Sequence, residues 1–230
     1  MFFPFFYDPT YILVIIGLAL SLFASFGVKS TFSKYSKVFS ASGLTGSTAA
    51  RKVLDMHGLY HIRIERIAGD LTDHFDPRSG VIRLSDSVFD SNSVAAIGVA
   101  AHEAGHAVQH ATKYTPITVR NSIIPIVNIG NSLSMPLFFL GLLLGMPNLA
   151  FFGVILFSLV LVFQLVTLPV EFNASRRAIN ILESGNLLYD DEINGAKKVL
   201  KAAAMTYVAS AAATALQVLR LLLILRRNDD

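Results

Sequence analysis

The run AAHEAGHAVQH at positions 100–110 holds residues whose types and spacing suit metal chemistry. It contains His102-Glu103-x-x-His106 in a stretch that reads as a helix. Residues four apart share one helix face, so both imidazoles can bind one Zn²⁺ from the same side. Glu103, beside the first His, can reach a water on that metal. Zinc lowers the pKa of such a water towards about 7. Glu103 then takes its proton as general base, the water attacks a carbonyl, and the proton passes to the leaving amine. The duller reading is a helix with two His used for packing. Buried charge argues against it, because Glu103 is flanked by Ala100, Ala101, Ala104 and Val108 and would be costly to bury unpaired.

A catalytic zinc site needs three protein ligands. The chain has no Cys, which excludes disulfides and thiolate ligands and fits a reducing compartment. A metzincin would place a further His shortly after His106, but the chain reads AVQHATKY there. A gluzincin would take a Glu from a later helix, and Glu171 in PVEFNASRRA is the best candidate. The alternative for Glu171 is a charge that complements a helix N-terminus. Glu183 and Glu192 are weaker candidates. His110 reads as an outer contact or a polar residue at the helix end. His74, in TDHFDP, is either an oxyanion donor or a turn residue, and the turn is favoured. Arg176 and Arg177 are either anion-steadying groups or membrane-flanking anchors, and His57 and His61 look structural.

Much of the rest of the chain is apolar. Of 230 residues, 53% are hydrophobic and only 15% charged, against about 25% charged in soluble domains. Positions 9–28 hold no charge, and 121–168 hold no Asp, Glu, Lys, Arg or His. A spanning helix needs about 20 apolar residues, so the first stretch allows one span. The second allows a hairpin turning at Gly145-Met146-Pro147-Asn148. The N-terminus lacks the basic start of a signal peptide, which favours a retained anchor over a cleaved leader. Pro125 and Pro136 are expected to kink the second span, and Pro169 to end the third, with EFNASRRAINILESG opening a polar helix. Residues 202–225 are apolar except for Arg220 and read as a fourth span or a packed core helix.

Between the first span and the hairpin, a helix capped at Ser47 or Thr48 precedes YHIRIERI, whose alternation signals a half-buried strand. The segment GDLTDHFDPRSG reads as a turn and VIRLS as a second short strand. Asp86 or Ser87 opens a short helix, and a longer helix runs from about Ser93 to His110. The expected divisions are an anchor at 1–28, a catalytic domain at 29–120, the hairpin at 121–168, a third-ligand segment at 169–201, and a C-terminal helix at 202–230. Lys29, Lys34, Lys37, Arg51 and Lys52 follow the first span, so the positive-inside rule puts the N-terminus outside and 30–120 in the cytoplasm. Arg226 and Arg227 then fall on the wrong side, which makes the last helix the weak point of this topology. The net charge of +3 is explained by topology and gives no reason to expect nucleic acid.

HEAGHAVQH, EFNAS, DHFDP and VIRLS together resemble the YugP-type membrane zinc peptidases, distant relatives of the HtpX-like and CAAX-prenyl membrane proteases. The resemblance runs from about Ala49 to Leu223 and includes AAAMTYVASA. It implies a mainly α membrane protein with about four spans and a small α+β gluzincin-like domain with a short sheet. In the wider group the third ligand is the Glu of E-x-x-x-D, here Glu171-Phe172-Asn173-Ala174-Ser175, so Ser175 stands where an Asp would orient a His ligand. Asn173 or Asp86 is expected to supply that bond instead. The resemblance also implies that Val81, Ile82, Arg83 and Leu84 form a strand edge to which an extended substrate adds.

The function expected is a multi-pass inner-membrane endopeptidase with one Zn²⁺ per chain, cutting peptides or membrane proteins at the cytoplasmic face. Two alternatives stand beside it. A site-2-type intramembrane protease would need His102 inside the bilayer, and the apolar run before it covers only 91–101. A non-catalytic zinc-stabilised adaptor would have no need of Glu103.

Overall fold

The computed structural model describes residues 8–229. Asp8 accepts hydrogen bonds from the Thr10 backbone and hydroxyl, and the charge-free run that follows forms α1 (Tyr11–Tyr35). α5 (Thr115–Leu143) and α6 (Pro147–Ser184) form the expected pair around the Gly145 turn, and α7 (Asp190–Asp229) closes the chain. These four helices are long and apolar enough to cross a membrane. The described residues divide into two compact units. One holds the chain up to Ser25, Val119–Leu168 and the chain from Thr206; the other holds Phe26–Thr118 and Pro169–Met205.

In the first unit small residues let helices approach closely, as apolar surroundings favour. A Cβ added to Gly141 would lie 2.3 Å from the Ala150 nitrogen, and one added to Gly17 would lie 3.2 Å from Ala213. Asp8 and Gly17 meet Arg220 and Ala213 in reverse chain order, so α1 and α7 run antiparallel. The Arg220 guanidinium lies 3.5 Å from the Asp8 carboxylate and 4.3 Å over the Tyr11 ring. Its charge is matched rather than left bare, as an apolar setting requires. α7 thus has the packing of a fourth span.

Pro169 lies inside α6 and does not break it. Proline removes one hydrogen bond and crowds the preceding turn, but helices packed in membranes tolerate both. Glu171 is therefore an interior helical residue, not the opening of a new helix as the sequence suggests. α7 likewise begins at Asp190, so the DDEING segment is its first turn and not a loop.

In the second unit α2 (Gly46–Asp55) starts from Thr45, upstream of the expected Ser47 or Thr48. Thr45 and Thr48 each accept the other's backbone N–H, a reciprocal box that outcompetes a cap inside the helix. Three strands follow: β1 (Arg63–Ile67), β2 (His74–Asp76) and β3 (Val81–Ser85). The order is β1-β3-β2, with β3 parallel to β1 and antiparallel to β2. The sequence suggests a turn where β2 lies. The turn proper is Pro77-Arg78-Ser79-Gly80, where Asp76 accepts from the Arg78 N–H and the Ser79 hydroxyl. The Ser79 hydroxyl, foremost, holds the Asp76 carboxyl down to about 2.

β3 is the central strand, and Val81, Ile82 and Leu84 are fully buried. The expectation that Val81, Ile82, Arg83 and Leu84 present a free edge is therefore corrected. A strand buried on both faces reads as a continuous apolar run, and VIRLS is nearly that. Beyond β3, α3 (Asp86–Phe89) leads to α4 (Val94–Ala111), which opens with the Ser93 hydroxyl accepting from the Ala96 N–H at 3.2 Å. α4 is buried along most of its length among α2, β3 and the part of α6 after Pro169.

Candidate metal centre

The i, i+4 spacing puts His102 and His106 on one face of α4, with ring centroids 4.6 Å apart. That face meets α6 closely because Gly105 carries no side chain at the contact. A Cβ on Gly105 would lie 2.8 Å from the Ala174 carbonyl oxygen, so only hydrogen fits there. This approach brings Glu171, one turn before Ala174, onto the two rings. Its carboxylate oxygen lies 3.4 Å from His102 Nε2 and 3.6 Å from His106 Nε2. The three donor atoms all lie within 4.8 Å of one another, a set that could hold a single metal ion. Glu171 is buried and both imidazoles are nearly so.

Both rings are held from behind. Ser175 Oγ lies 3.2 Å from His102 Nδ1, and Gln109 Oε1 lies 3.0 Å from His106 Nδ1. With Nδ1 occupied, each ring turns Nε2 towards Glu171, the arrangement that metal-ligating histidines favour. Two imidazole nitrogens and one carboxylate oxygen, converging and backed by hydrogen bonds, are the donor chemistry of a catalytic zinc site. Burial opposes charge on His106, but Glu171, Glu103 and Gln109 outweigh it and hold this ring above its usual range.

Glu103 is not one of the three. It sits one residue past His102, buried at 8% exposure. Asp73 is its acidic neighbour. Burial raises the Asp73 carboxyl, the Ser85 N–H and hydroxyl that it accepts pull it down, and the Glu103 charge raises it again; the net direction is up.

The other expected residues fall as follows. Asn173 supports the site at one remove, accepting from Gln109 Nε2 at 2.9 Å and Arg177 Nε at 2.8 Å. Asp86 does not orient a ligand; it pairs with Arg66 at 3.5 Å. Ser175 itself makes the bond to His102 that Asn173 or Asp86 was expected to supply. His110 is exposed and meets the Phe75 ring edge-on at 6.1 Å, outside the ligand set. His74 lies on β2, where its Nδ1 donates to the Thr72 carbonyl at 2.9 Å. Arg176 is exposed, whereas Arg177 stacks over Tyr114 at 5.8 Å. Glu192 accepts from the Ala41 and Tyr189 backbones, and Glu183 is exposed. His57 contacts the Val53 carbonyl, a structural role.

Gln109 belongs to no motif that the sequence offers. Its signal was its position three residues past His106, which returns an amide to the same helix face. Ser175 invites a direct test. A carboxylate holds an Nδ1–H more firmly than a hydroxyl does and makes the ring a better ligand. Ser175→Asp is expected to tighten zinc binding by up to about 10-fold, read by competition with a coloured chelator. Weaker binding would show that the site has no room for the longer side chain.

Residues 10–226 match the model of a family described as "Putative neutral zinc metallopeptidase". The chain is also 48% identical over 218 residues to the Bacillus subtilis (strain 168) protein named "Putative membrane protease YugP", covering 95% of this chain and 97% of that one. No solved structure matches the chain. With nearly its whole length matched and its two His and one Glu gathered on facing helices, the chain belongs to this neutral zinc metallopeptidase family.

Proposed function

We propose that the protein is a membrane-bound endopeptidase that hydrolyses peptide bonds at the cytoplasmic face, with Glu103 as general base. One observation carries this reading. His102, His106 and Glu171 converge within 4.8 Å, while the buried carboxylate of Glu103 stays outside the ligand set. These three residues would hold the zinc ion, and a bound zinc supplies a Lewis acid that polarises a carbonyl and acidifies water. Glu103 takes a proton from the attacking water and later delivers it to the leaving nitrogen. A structural metal site has no use for such a base, which weighs against a non-catalytic adaptor.

The substrate enters as an extended chain along β2, not β3. Among the described residues β2 is paired on one side only, with β3. It follows directly from Asp73, whose carboxyl feels the Glu103 charge, and its Phe75 touches His110 on α4. Main-chain groups on the free side of His74–Asp76 can pair with a substrate backbone without regard to its side chains. The cytoplasmic placement rests on Lys29, Lys34, Lys37, Arg51 and Lys52 after the first span and on Arg176 and Arg177 after the third. α4 is not among the helices long and apolar enough to cross a membrane, which weighs against intramembrane cleavage.

The test uses full-length protein purified in detergent. One zinc per chain is expected, with cleavage of an unfolded polypeptide such as casein that stops on chelation and returns with zinc. Undiminished cleavage by metal-stripped protein would end this reading.

A further inference from the structure

We propose that Gln109 is a positioning residue. It fixes the proton of His106 on Nδ1 and ties that ring to the backbone that carries Glu171, so the second and third ligands are set as one unit. The inference rests on the zinc reading above and adds a residue to it.

The orientation of the Gln109 amide can be worked out from its neighbours. Arg177 Nε only donates, so the Asn173 atom 2.8 Å from it is the accepting oxygen. That same oxygen lies 2.9 Å from Gln109, which must therefore present its NH₂ group there. The Val170 carbonyl, 2.8 Å from the same nitrogen, also only accepts. Both amide hydrogens of Gln109 are thus placed, and its oxygen is left facing His106 Nδ1 at 3.0 Å. An amide oxygen cannot donate, so the hydrogen lies on Nδ1 and Nε2 is turned towards Glu171.

The Val170 carbonyl belongs to the peptide bond that leads into Glu171. One side chain, fully buried, therefore reads the His106 ring with its oxygen and the Glu171 main chain with its nitrogen. His102 has no equivalent. Its Nδ1 partner, the Ser175 hydroxyl, can donate or accept and leaves the tautomer open. His106 is the anchored ligand and His102 the adaptable one.

Two substitutions separate positioning from packing. Gln109→Leu removes both ends of the amide. Gln109→Glu keeps an acceptor towards His106 but loses the donors to Val170 and Asn173. Thermal unfolding of zinc-free protein in detergent should fall in both, because both lose the link between α4 and α6. Zinc affinity by chelator competition should grade them: the Leu variant, which loses both the acceptor to His106 and the tie to Val170, drops about 10–100-fold, the usual cost of losing an outer partner, and the Glu variant, which loses only the tie, drops by less. Equal losses in the two variants, or a Leu variant that binds like wild type, would overturn the proposal.

Should the Leu variant not fold, ring-¹⁵N-histidine spectra of the wild type decide. A protonated, hydrogen-bonded Nδ1 on His106, with or without zinc, supports the inference, and a bare Nδ1 overturns it. Binding of one zinc by wild type tests the proposed function, whereas the variant comparison and the Nδ1 signal test Gln109.

Discussion

Glu103→Gln protein is expected to bind zinc as wild type does and to cleave peptide bonds about 10²–10⁴-fold more slowly, the usual worth of a positioned acid–base group. The amide has the shape of the carboxylate but cannot take a proton from water. Zinc is retained because Glu103 is not among the three donors that converge. The fold should survive as well, since an isosteric neutral group replaces a charge buried at 8% exposure and its desolvation cost is removed. Metal content, thermal unfolding and kcat/KM on one preparation make the test. Activity within 3-fold of wild type, with zinc bound, would remove Glu103 from the mechanism and make Asp73, the neighbouring buried carboxyl, the next candidate base.

Glu171→Gln should act on binding before it acts on rate. The carboxylate is the one anionic member of the ligand set and sits 3.4 and 3.6 Å from the two Nε2 atoms. A neutral amide in its place fits the same space but is a weak ligand for zinc. The loss in zinc affinity should exceed the 10–100-fold typical of outer-shell changes, and cleavage should return only partly at high zinc. The pairing with Glu103→Gln is informative because the two changes are chemically identical. One is expected to leave a loaded and inert enzyme, the other an empty one. If both retain zinc equally, Glu171 is not the third ligand and a different carboxylate must be found.

Parts of this arrangement could be read directly from residues. HEAGH announces two ligands because a helix repeats its face every four positions, and Glu171 stands out as a carboxylate just after a long charge-free run. The spans follow from composition, since lipid tolerates little else. What the sequence hides depends on partners distant along the chain. Pro169 looks like a terminator until neighbouring helices support it. VIRLS looks like an edge until β2 pairs with it, and β2 itself is only three residues long within a polar segment. Ser175 looks like the loss of an Asp, yet its hydroxyl makes the bond because Gly105 allows α6 so close. Gln109 is an ordinary helical residue until α6 supplies the acceptors for its amide.

The chain places about sixty residues, including the whole α5 hairpin arm and most of α6, between the His pair and Glu171. A ribosome therefore releases two ligands long before the third. During that interval the nascent polypeptide has an incomplete donor set and no competent catalyst. The set closes only when α6 lies against α4, and the intervening apolar stretch must be made first. Under the proposed function, peptide-bond hydrolysis has no complete site until α6 has been made and packed against α4.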